Sequence, residues 1–373
     1  MKSQRPHSGK DVISTARMMF VTSSIGGVVL IAAVASSFNL NSFDQLDAAK
    51  KSADKRIVIK NLVVPAGKKL DLTNLQDGTV IEFTGRVTFG YLEWDGTLIQ
   101  IKGKNIRVEG KPGNLLDGEG HRWWDKLGGN GGKKKPRFID VNLEDSLVTG
   151  LNIKNPPRHC FKAERCKNVR IEHVNIDVKD GDTKGAHNTD GFGVGASQNV
   201  TVANCKVHNQ DDCFCIGSGI DTVFENNVCT GGHGISIGSM GNGKKVERVR
   251  VRNCKIIKNT NGIRIKSRSG ETGLVKDVSF ENVELVDITR FGIIIQANYF
   301  NSGPKGDPTP FPMENIVIKN VRGTVSKKGT NIQVWVAPGS AKNWQWNSSV
   351  TGGQKELPCK GVPQGVNIRC GKK

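Results

Sequence analysis

A short pattern of alternating apolar residues recurs along this chain and restricts the folds that the chain can adopt. Each copy has apolar residues two positions apart and a polar residue, usually asparagine, at the fifth position. The copies span residues 169–174, 200–205, 249–254, 278–283 and 316–321, with a weaker one at 222–226. Alternation with a period of two is typical of β-strands, and repetition at steps of roughly 20–40 residues is typical of a solenoid. The chain is therefore predicted to coil rather than to form a sandwich.

A second set of apolar strands lies between these copies. Its members span residues 213–216, 235–237, 263–265, 293–295 and 332–336. Several strands per step predict a parallel β-helix in which coils stack and apolar residues fill the bore. The 45 glycines and an aromatic content of only 6% agree with short strands and tight turns. The fold class is thus all-β and a single domain, with the N-terminal coils closing one end. The asparagines are interpreted as a structural column at an inward turn, where they bond the coils above and below.

The N-terminus has the pattern of a targeting segment. Residues 1–17 are polar and basic, and residues 18–38 are apolar and end near a small-residue site at 33–35. This predicts a signal peptide, residues 1–35, and a mature domain, residues 36–373, that begins with a linker up to Lys55. An uncleaved membrane anchor is the alternative, because the apolar stretch approaches the ~20 residues that span a bilayer. Either way the domain lies outside the cytosol, where Asn199 and Asn347 are glycosylation acceptors.

The nine cysteines are an odd number, so at least one thiol is unpaired. Cys205 and Cys254 fall at apolar repeat positions, which favours buried free thiols. The sequence gives no assignment for Cys160, Cys166 and Cys215.

The net charge of +19 favours a polyanionic partner. Nucleic acid, an anionic membrane and an acidic polysaccharide all satisfy this condition. The basic residues are scattered, and no zinc-finger, helix-turn-helix or ribonucleoprotein pattern occurs among them, which disfavours nucleic acid. A solvated basic surface is the simplest interpretation of any single cluster, including the densest one at residues 133–135.

Four polar motifs lie in order at residues 188–192, 210–213, 231–234 and 264–266. Asp190 and Asp212 are 22 residues apart, as are the repeat starts Val200 and Thr222, so the two aspartates occupy equivalent places on consecutive coils. Adjacent strands lie ~4.8 Å apart, so these carboxylates are expected to crowd. A further step of 22 residues places His233 on the next coil.

Crowded carboxylates raise one another's pKa, which gives one protonated group and one charged group, as glycoside hydrolysis requires. Aspartates in turns or a calcium site would be a simpler explanation. The adjacent pair Asp211 and Asp212 next to an apolar strand argues against it. Arg264 and Lys266 alternate with isoleucines, so both cations should point away from the bore. No metal or cofactor is expected.

The four motifs in this order resemble those of the polygalacturonases, the pectin-degrading enzymes of glycoside hydrolase family 28. The resemblance continues to Cys370 and includes Trp344-x-Trp346 and residues 350–353. It implies a right-handed parallel β-helix of the pectin-lyase type that acts on polygalacturonate or pectin. The implied reaction is hydrolysis of α-1,4-galacturonosyl linkages with inversion. The chain is then expected to be a secreted, monomeric, endo-acting enzyme without a cofactor.

The resemblance also implies roles for individual residues. The catalytic group is Asp190, Asp211, Asp212 and His233, and the substrate-binding group is Asn188, Arg264 and Lys266. Within these groups Asp211 is the general acid, Asp190 and Asp212 activate the water, and the two cations bind a galacturonate carboxylate. Inversion would place acid and base roughly 6.5–9.5 Å apart. The implied disulfides are Cys213–Cys229 and Cys359–Cys370.

The chain departs from the family pattern at three places. Phe291 stands where the family usually has tyrosine, Gly193 stands where a second aspartate is common, and a cysteine pair is missing at residues 337–342. None of the three removes a catalytic group, so activity is expected; an inactive or weak pectin-binding homologue is the alternative. A β-helical adhesin, a rhamnogalacturonan hydrolase and a pectate lyase are disfavoured by the complete set of aspartates, His233 and the two cations.

Overall fold

The apolar alternation of the repeat forms strands that stack in parallel on the next coil. The computed structural model describes residues 36–300, 303–304 and 306–370, and this part contains thirty strands and four short helices. The strands are β1 Phe38–Leu40, β2 Arg56–Lys60, β3 Val63–Val64, β4 Leu70–Leu72, β5 Val80–Thr84, β6 Arg86–Phe89, β7 Thr97–Lys104, β8 Arg107–Gly110, β9 Leu115–Asp117, β10 Arg137–Thr149, β11 Asn152–Lys154, β12 Phe161–Glu164, β13 Lys167–Glu172, β14 Asn175–Asp177, β15 Phe192–Gly195, β16 Ser197–Ala203, β17 Lys206–His208, β18 Asp212–Ile216, β19 Gly219–Glu225, β20 Val228–Thr230, β21 Gly234–Met240, β22 Lys244–Ile257, β23 Asn261–Arg268, β24 Gly273–Ile288, β25 Phe291–Phe300, β26 Gly303–Pro304, β27 Met313–Val325, β28 Thr330–Trp335, β29 Ala341–Lys342 and β30 Gln345–Thr351. The helices are α1 Leu46–Lys51, α2 Gly181–Lys184 and the 3-10 turns Phe43–Gln45 and Gly120–Arg122.

The parallel pairings fall into three ladders that run along the coil axis. Sheet 1, which carries the polar motifs, contains in order β4, β7, β10, β12, β15, β18, β21, β23, β25 and β28. Long strands such as β10 bend from one ladder into another and pair in both. The predicted all-β parallel β-helix is thus confirmed.

The bore is filled by the inward-facing residues of all three ladders. Phe214 and Ile216 of β18 are fully buried there, and Cys215 between them faces outward. Because side chains alternate across a strand, every second residue of sheet 1 points away from the bore. The outer surface of sheet 1 can therefore carry polar side chains without disturbing the apolar core.

The asparagine column exists, but its predicted inward position is wrong. Asn282 donates to Asn253, and Asn320 donates to Asn282, at 3.2 and 2.7 Å. All three have φ near +54° and lie on the outer surface. A left-handed backbone turn puts the amide outside, and asparagine tolerates that conformation better than most residues. The column still links successive coils.

The segment interpreted as a linker up to Lys55 is instead structured. Strand β1 pairs with β2, and α1 buries Leu46 and Ala49 against the first coils, which closes this end of the bore. Residues 1–35, which contain the predicted signal peptide, lie outside the described residues. Among residues 36–370, apart from 301, 302 and 305, none of the helices is long and apolar enough to cross a membrane.

Candidate active site

The aspartates of two consecutive coils, those of β15 and β18, meet on sheet 1 because the strands are in register. Phe192 pairs with Phe214, so Asp190 and Asp212, each two residues earlier, stack on adjacent coils. Asp212 in turn pairs with Gly234 at the start of β21, which puts His233 on the next coil. The structure therefore brings together the residues that the 22-residue spacing placed side by side.

Asp212 is the most enclosed of the three carboxylates. One oxygen, Oδ1, accepts hydrogen bonds from Ser236 Oγ and Arg264 Nη2, both at 2.7 Å. The other, Oδ2, accepts from Lys266 Nζ at 3.0 Å. The side chains of the Arg264–Asp212 pair are 11% and 3% exposed, so little water screens this charge cluster. Both cations face away from the bore as predicted, but they are already engaged by Asp212.

Asp211 lies in a network of donors beside its neighbour. Its Oδ1 is 3.0 Å from His233 Nδ1 and accepts from the backbone N–H of Asp212 at 2.7 Å. Its Oδ2 accepts from Asn188 Nδ2 at 2.8 Å. Burial by itself would raise the pKa of Asp211, but the hydrogen bond and charge of His233, with the charge of Lys266, hold that pKa well below its ordinary value.

Asp190 has the opposite electrostatic environment. Its Oδ1 is buried and has no hydrogen-bond partner, although His159 Nε2 lies 3.3 Å away. Its Oδ2 accepts a weak bond from the Cys215 thiol at 3.6 Å. Burial first, and then the charges of Asp211 and Asp212, raise the pKa of Asp190 well above its ordinary value. The cluster therefore favours a proton on Asp190, whereas the family resemblance implies the acid role for Asp211.

The raised pKa of Asp190 gives a prediction for stability. A carboxyl whose pKa is higher in the folded state stabilises the protein below its unfolded pKa of ~3.9, and this contribution is lost as pH rises through the folded pKa. We therefore expect Asp190→Asn to increase the free energy of unfolding at pH 7 by about 0.5–2 kcal/mol, the usual range for a stabilising substitution. Urea titrations at pH 7 and pH 4 should show the gain shrinking at the lower pH. The matched control is Asp77→Asn at an exposed turn; the same gain in both variants would contradict the argument.

Three residues near the cluster were not singled out from the sequence. Ser236 pairs in register with Arg264 and contacts Asp212, a position that the alternation around Ile235 and Ile237 could have indicated. Tyr299 presents its ring to both cations, with Lys266 Nζ 5.2 Å and Arg264 Cζ 5.9 Å from the centroid. His159 is the third.

His159 lies one coil before Asp190, but 31 residues earlier rather than 22, because an insertion with helix α2 lengthens that coil. Burial and the nearby charge of Arg158 lower the pKa of His159 to about 4. Its ring is therefore neutral over most of the pH range in which the carboxylates of the site are charged.

Two sets of side chains have ligand atoms close enough to hold a metal ion. In each set the atoms lie within 4.8 Å of one another; the sets are Asp190, Asp212 and Cys215, and Asp211, Asp212 and His233. The charge of Asp212, common to both sets, is already balanced by two cations. A metal ion is thus not needed to keep these carboxylates together.

Both expected disulfides are present. Cys213 and Cys229 join strands β18 and β20 of the coil that carries Asp212, and Cys359 and Cys370 close the C-terminal segment, with S–S distances of 2.07 and 2.03 Å. Cys205 and Cys254 are buried free thiols, as predicted. Among the described cysteines Cys160, Cys166 and Cys215 are also free.

Phe291, one of the departures from the family pattern, begins β25 and is buried, with 7% of its surface exposed. The Arg290 guanidinium lies over its ring, 5.2 Å from the centroid. The ring is thus held at the edge of sheet 1 by packing, and only the hydroxyl of the usual tyrosine is lost.

Comparison with known proteins agrees with this architecture. The sequence profile of glycosyl hydrolases family 28 matches residues 55–370. A polygalacturonase of Cochliobolus carbonum is 44% identical over 322 residues, 85% of this chain and 88% of the relative. Endopolygalacturonase 1 of Colletotrichum lindemuthianum is 40% identical over 361 residues, 94% and 99% of the two chains. Endopolygalacturonase I from Stereum purpureum, solved with two galacturonates, superposes with a TM-score of 0.77 at 30% identity, covering 85% of this chain and 95% of that one.

A parallel β-helix with three clustered carboxylates on one outer sheet has the groups that a glycoside hydrolase requires. The length and identity of the matches make the assignment more specific: the chain belongs to glycosyl hydrolases family 28.

Proposed function

We propose that this protein is a polygalacturonase that hydrolyses α-1,4-galacturonosyl linkages within homogalacturonan. The observation that carries the proposal is the arrangement of Asp190, Asp211 and Asp212 beside Arg264 and Lys266 on one outer sheet. Carboxylates supply the acid and the base, and the two cations provide charge for an acidic sugar. Its relatives and its structural neighbour carry polygalacturonase and endopolygalacturonase names.

In the proposed mechanism Asp211 and His233 act as one proton-holding pair. His233 Nδ1 lies 3.0 Å from Asp211 Oδ1, so a proton can pass between the two groups. Transfer of a proton from His233 Nδ1 to Asp211 restores the protonated form of the acid. Asp211 then protonates the leaving glycosidic oxygen, while Asn188 holds its other oxygen in place.

Asp190 is the proposed base. Asp190 acts in its deprotonated form, in which its raised pKa favours taking up the proton that the water loses, and its Oδ1 is the oxygen that no hydrogen bond occupies. Asp212 is the fixed negative charge that completes the water site. Its three hydrogen bonds from Ser236, Arg264 and Lys266 make it a poor nucleophile, which disfavours a covalent intermediate.

This mechanism predicts inversion. One oxygen of Asp212 lies within 4.8 Å of one oxygen of Asp190, which suits two carboxylates that hold one water between them. Because Asp212 accepts three hydrogen bonds and is a poor nucleophile, direct attack by that water is favoured over a covalent intermediate. Proton NMR of the first product is expected to show the β-anomer from the α-linked chain; initial α-anomer would overturn these roles.

Product analysis tests the activity itself. On polygalacturonate we expect oligogalacturonates of mixed length early in the reaction, which is typical of internal cleavage, and little release from methylated pectin or rhamnogalacturonan. Galacturonate monomer as the sole early product would contradict the endo mode. Binding of polygalacturonate without any turnover would favour the inactive homologue instead.

We also propose that residues 1–35 are a signal peptide and that residues 36–373 form one secreted, monomeric catalytic domain. Asn199 and Asn347 are exposed, as glycan acceptors must be, although the Asn199 amide donates to Asn168. N-terminal sequencing and mass measurement of protein recovered from the medium test these points together. An intact residue 1 on membrane-bound protein would favour the anchor.

A further inference from the structure

Arg158 is a cation close to the catalytic cluster, and none of the roles described above involves it. Its side chain is half-buried, and its Nε is buried without a hydrogen-bond partner. Within the described residues no hydrogen bond or ion pair involves Arg158. Partial burial of a guanidinium without an anion is costly, and the exposed part of this side chain can be reached by an acidic ligand.

The position of Arg158 is beside the catalytic cluster. The next residue, His159, reaches to 3.3 Å from Asp190. A Cβ at Gly129 would lie 3.2 Å from Arg158 Nη1 and 3.7 Å from Asn188 Oδ1. The guanidinium thus lies next to the loop at Gly129, whose backbone N–H donates to the Asn188 side chain that holds Asp211.

The register of sheet 1 shows that cations flank the site on both sides. Lys162, Gly193, Cys215, Ser236 and Arg264 pair in succession. Lys162 is two coils before Cys215, and Arg264 is two coils after it. With ~4.8 Å between strands, the backbone of each of these two residues lies roughly 10 Å along the axis from the coil of Asp211 and Asp212, and the Arg264 side chain reaches back to Asp212.

A cavity of about 340 Å³ continues along sheet 1 on the N-terminal side. Its charged lining residues are Lys102, Arg137, Asp140, Lys162, Glu164 and Arg165, a surplus of two positive charges. Arg137 is paired with Asp140, and Lys162 Nζ lies 3.2 Å from Glu164. Arg158 has no such acidic partner.

Gly193 leaves the floor of this region open. A Cβ there would meet only Cys215 Sγ at 3.6 Å and Lys162 Cγ at 4.0 Å, both ordinary contacts. A ring or carboxylate of a substrate can therefore approach the sheet between Lys162 and Cys215.

We propose that Arg158, assisted by Lys162, binds a galacturonate carboxylate of the substrate on the side of the catalytic cluster that faces the N-terminal coils. This inference rests on the proposed function and extends it, because each sugar of the polymer carries a carboxylate and the other cations, Arg264 and Lys266, lie on the opposite side. An arginine presents a planar pair of donors that matches a carboxylate.

The test compares Arg158→Met with Arg250→Met, a matched control that removes an exposed arginine on β22, outside sheet 1 and outside the cavity lining. On oligogalacturonates of defined length, Arg158→Met should raise KM roughly tenfold, as loss of a charge-assisted hydrogen bond does. The position of the bond that is cleaved in end-labelled oligomers should also shift, because the variant binds the oligomer less tightly on the side of the N-terminal coils. The control should stay within about twofold of wild type. Equal KM and equal cleavage patterns in the two variants would overturn the proposal.

A second pair of variants tests the subsite by adding a negative charge next to Lys162 without removing a cation. Gly193→Asp places a carboxylate beside Lys162, and Gly193→Asn has the same shape without the charge. We expect a higher KM for the aspartate variant than for the asparagine variant, and a smaller difference on methyl-esterified oligomers. Identical values on both substrates would contradict an acidic ligand here.

Failure of the subsite and failure of the activity are separated by a binding measurement. Calorimetry with trigalacturonate on the catalytically disabled Asp211→Asn protein, with and without Arg158→Met, reports the subsite without turnover. Weaker binding after Arg158→Met supports the subsite even if wild type fails to hydrolyse polygalacturonate. Unchanged binding overturns the subsite even if wild type is active.

Discussion

Asp211→Asn is expected to lower kcat on polygalacturonate by roughly 10²–10⁴-fold, the usual contribution of a positioned acid or base. Asparagine keeps the shape and can still accept from the Asp212 backbone N–H, but it has no proton to give the leaving oxygen. The measurement is release of reducing ends by protein whose folding is verified by circular dichroism. A folded variant with near wild-type rate would exclude Asp211 as the acid.

The same variant can separate the acid from the base, because the structure favours a proton on Asp190 while the family resemblance assigns the acid role to Asp211. An oligogalacturonate with an activated aryl leaving group needs no protonation of that group. We expect Asp211→Asn to recover much of its rate on this substrate and Asp190→Asn to recover little. Recovery by Asp190→Asn alone would exchange the two roles.

Asp211→Asn and Asp190→Asn are expected to have opposite effects on the stability of the protein. The pKa of Asp211 is lowered in the folded state, so its contribution to stability is present above the unfolded pKa and is lost as pH falls through the folded pKa. Asp211→Asn is thus expected to destabilise the protein at neutral pH, whereas Asp190→Asn should stabilise it. Activity assays on Asp211→Asn therefore belong well below its melting temperature.

The sequence predicted the stacking of Asp190 on Asp212 because the coils between them have constant length. Strand alternation then correctly placed Arg264 and Lys266 outside the bore. Counting in steps of 22 residues failed where the coils are irregular. The insertion with α2 prevented identification of His159, and a register shift after Lys266 prevented identification of Tyr299. Periodicity specifies the order of coils but not their irregularities.

Other features depended on conformation that a pattern does not encode. The left-handed φ of Asn253 and Asn282 moved the asparagine column to the outer surface. The pairing of Asp212 with both cations and the unpartnered Oδ1 of Asp190 depend on side-chain direction. These contacts decide which carboxyl holds the proton, so the raised pKa of Asp190 and the lowered pKa of Asp211 could not be derived from crowding alone.

Lys266→Met is the second substitution with a large expected effect. Lys266 is 7% exposed and donates to Asp212 Oδ2 at 3.0 Å, so the variant removes one of two cations from a nearly dry cluster. Loss of a hydrogen bond to a charged group costs about 1.5–3 kcal/mol, which corresponds to roughly a ten- to hundredfold fall in kcat/KM. The matched control is Lys255→Met, which removes a lysine from an exposed ion pair with Glu284; its kcat/KM should not change.

Methyl esterification of the substrate shows whether Lys266 contacts the polymer or only Asp212. If the ammonium also binds a galacturonate carboxylate, Lys266→Met should lose more activity on unesterified polygalacturonate than on highly esterified pectin, because the ester has no charge for the lysine to hold. Wild-type activity should itself decline as esterification increases. An equal proportional loss on both polymers would instead mean that Lys266 acts only through Asp212. Arg264, whose guanidinium bonds both Ser236 and Asp212, would then remain to be tested as the carboxylate-binding cation on that side of the site.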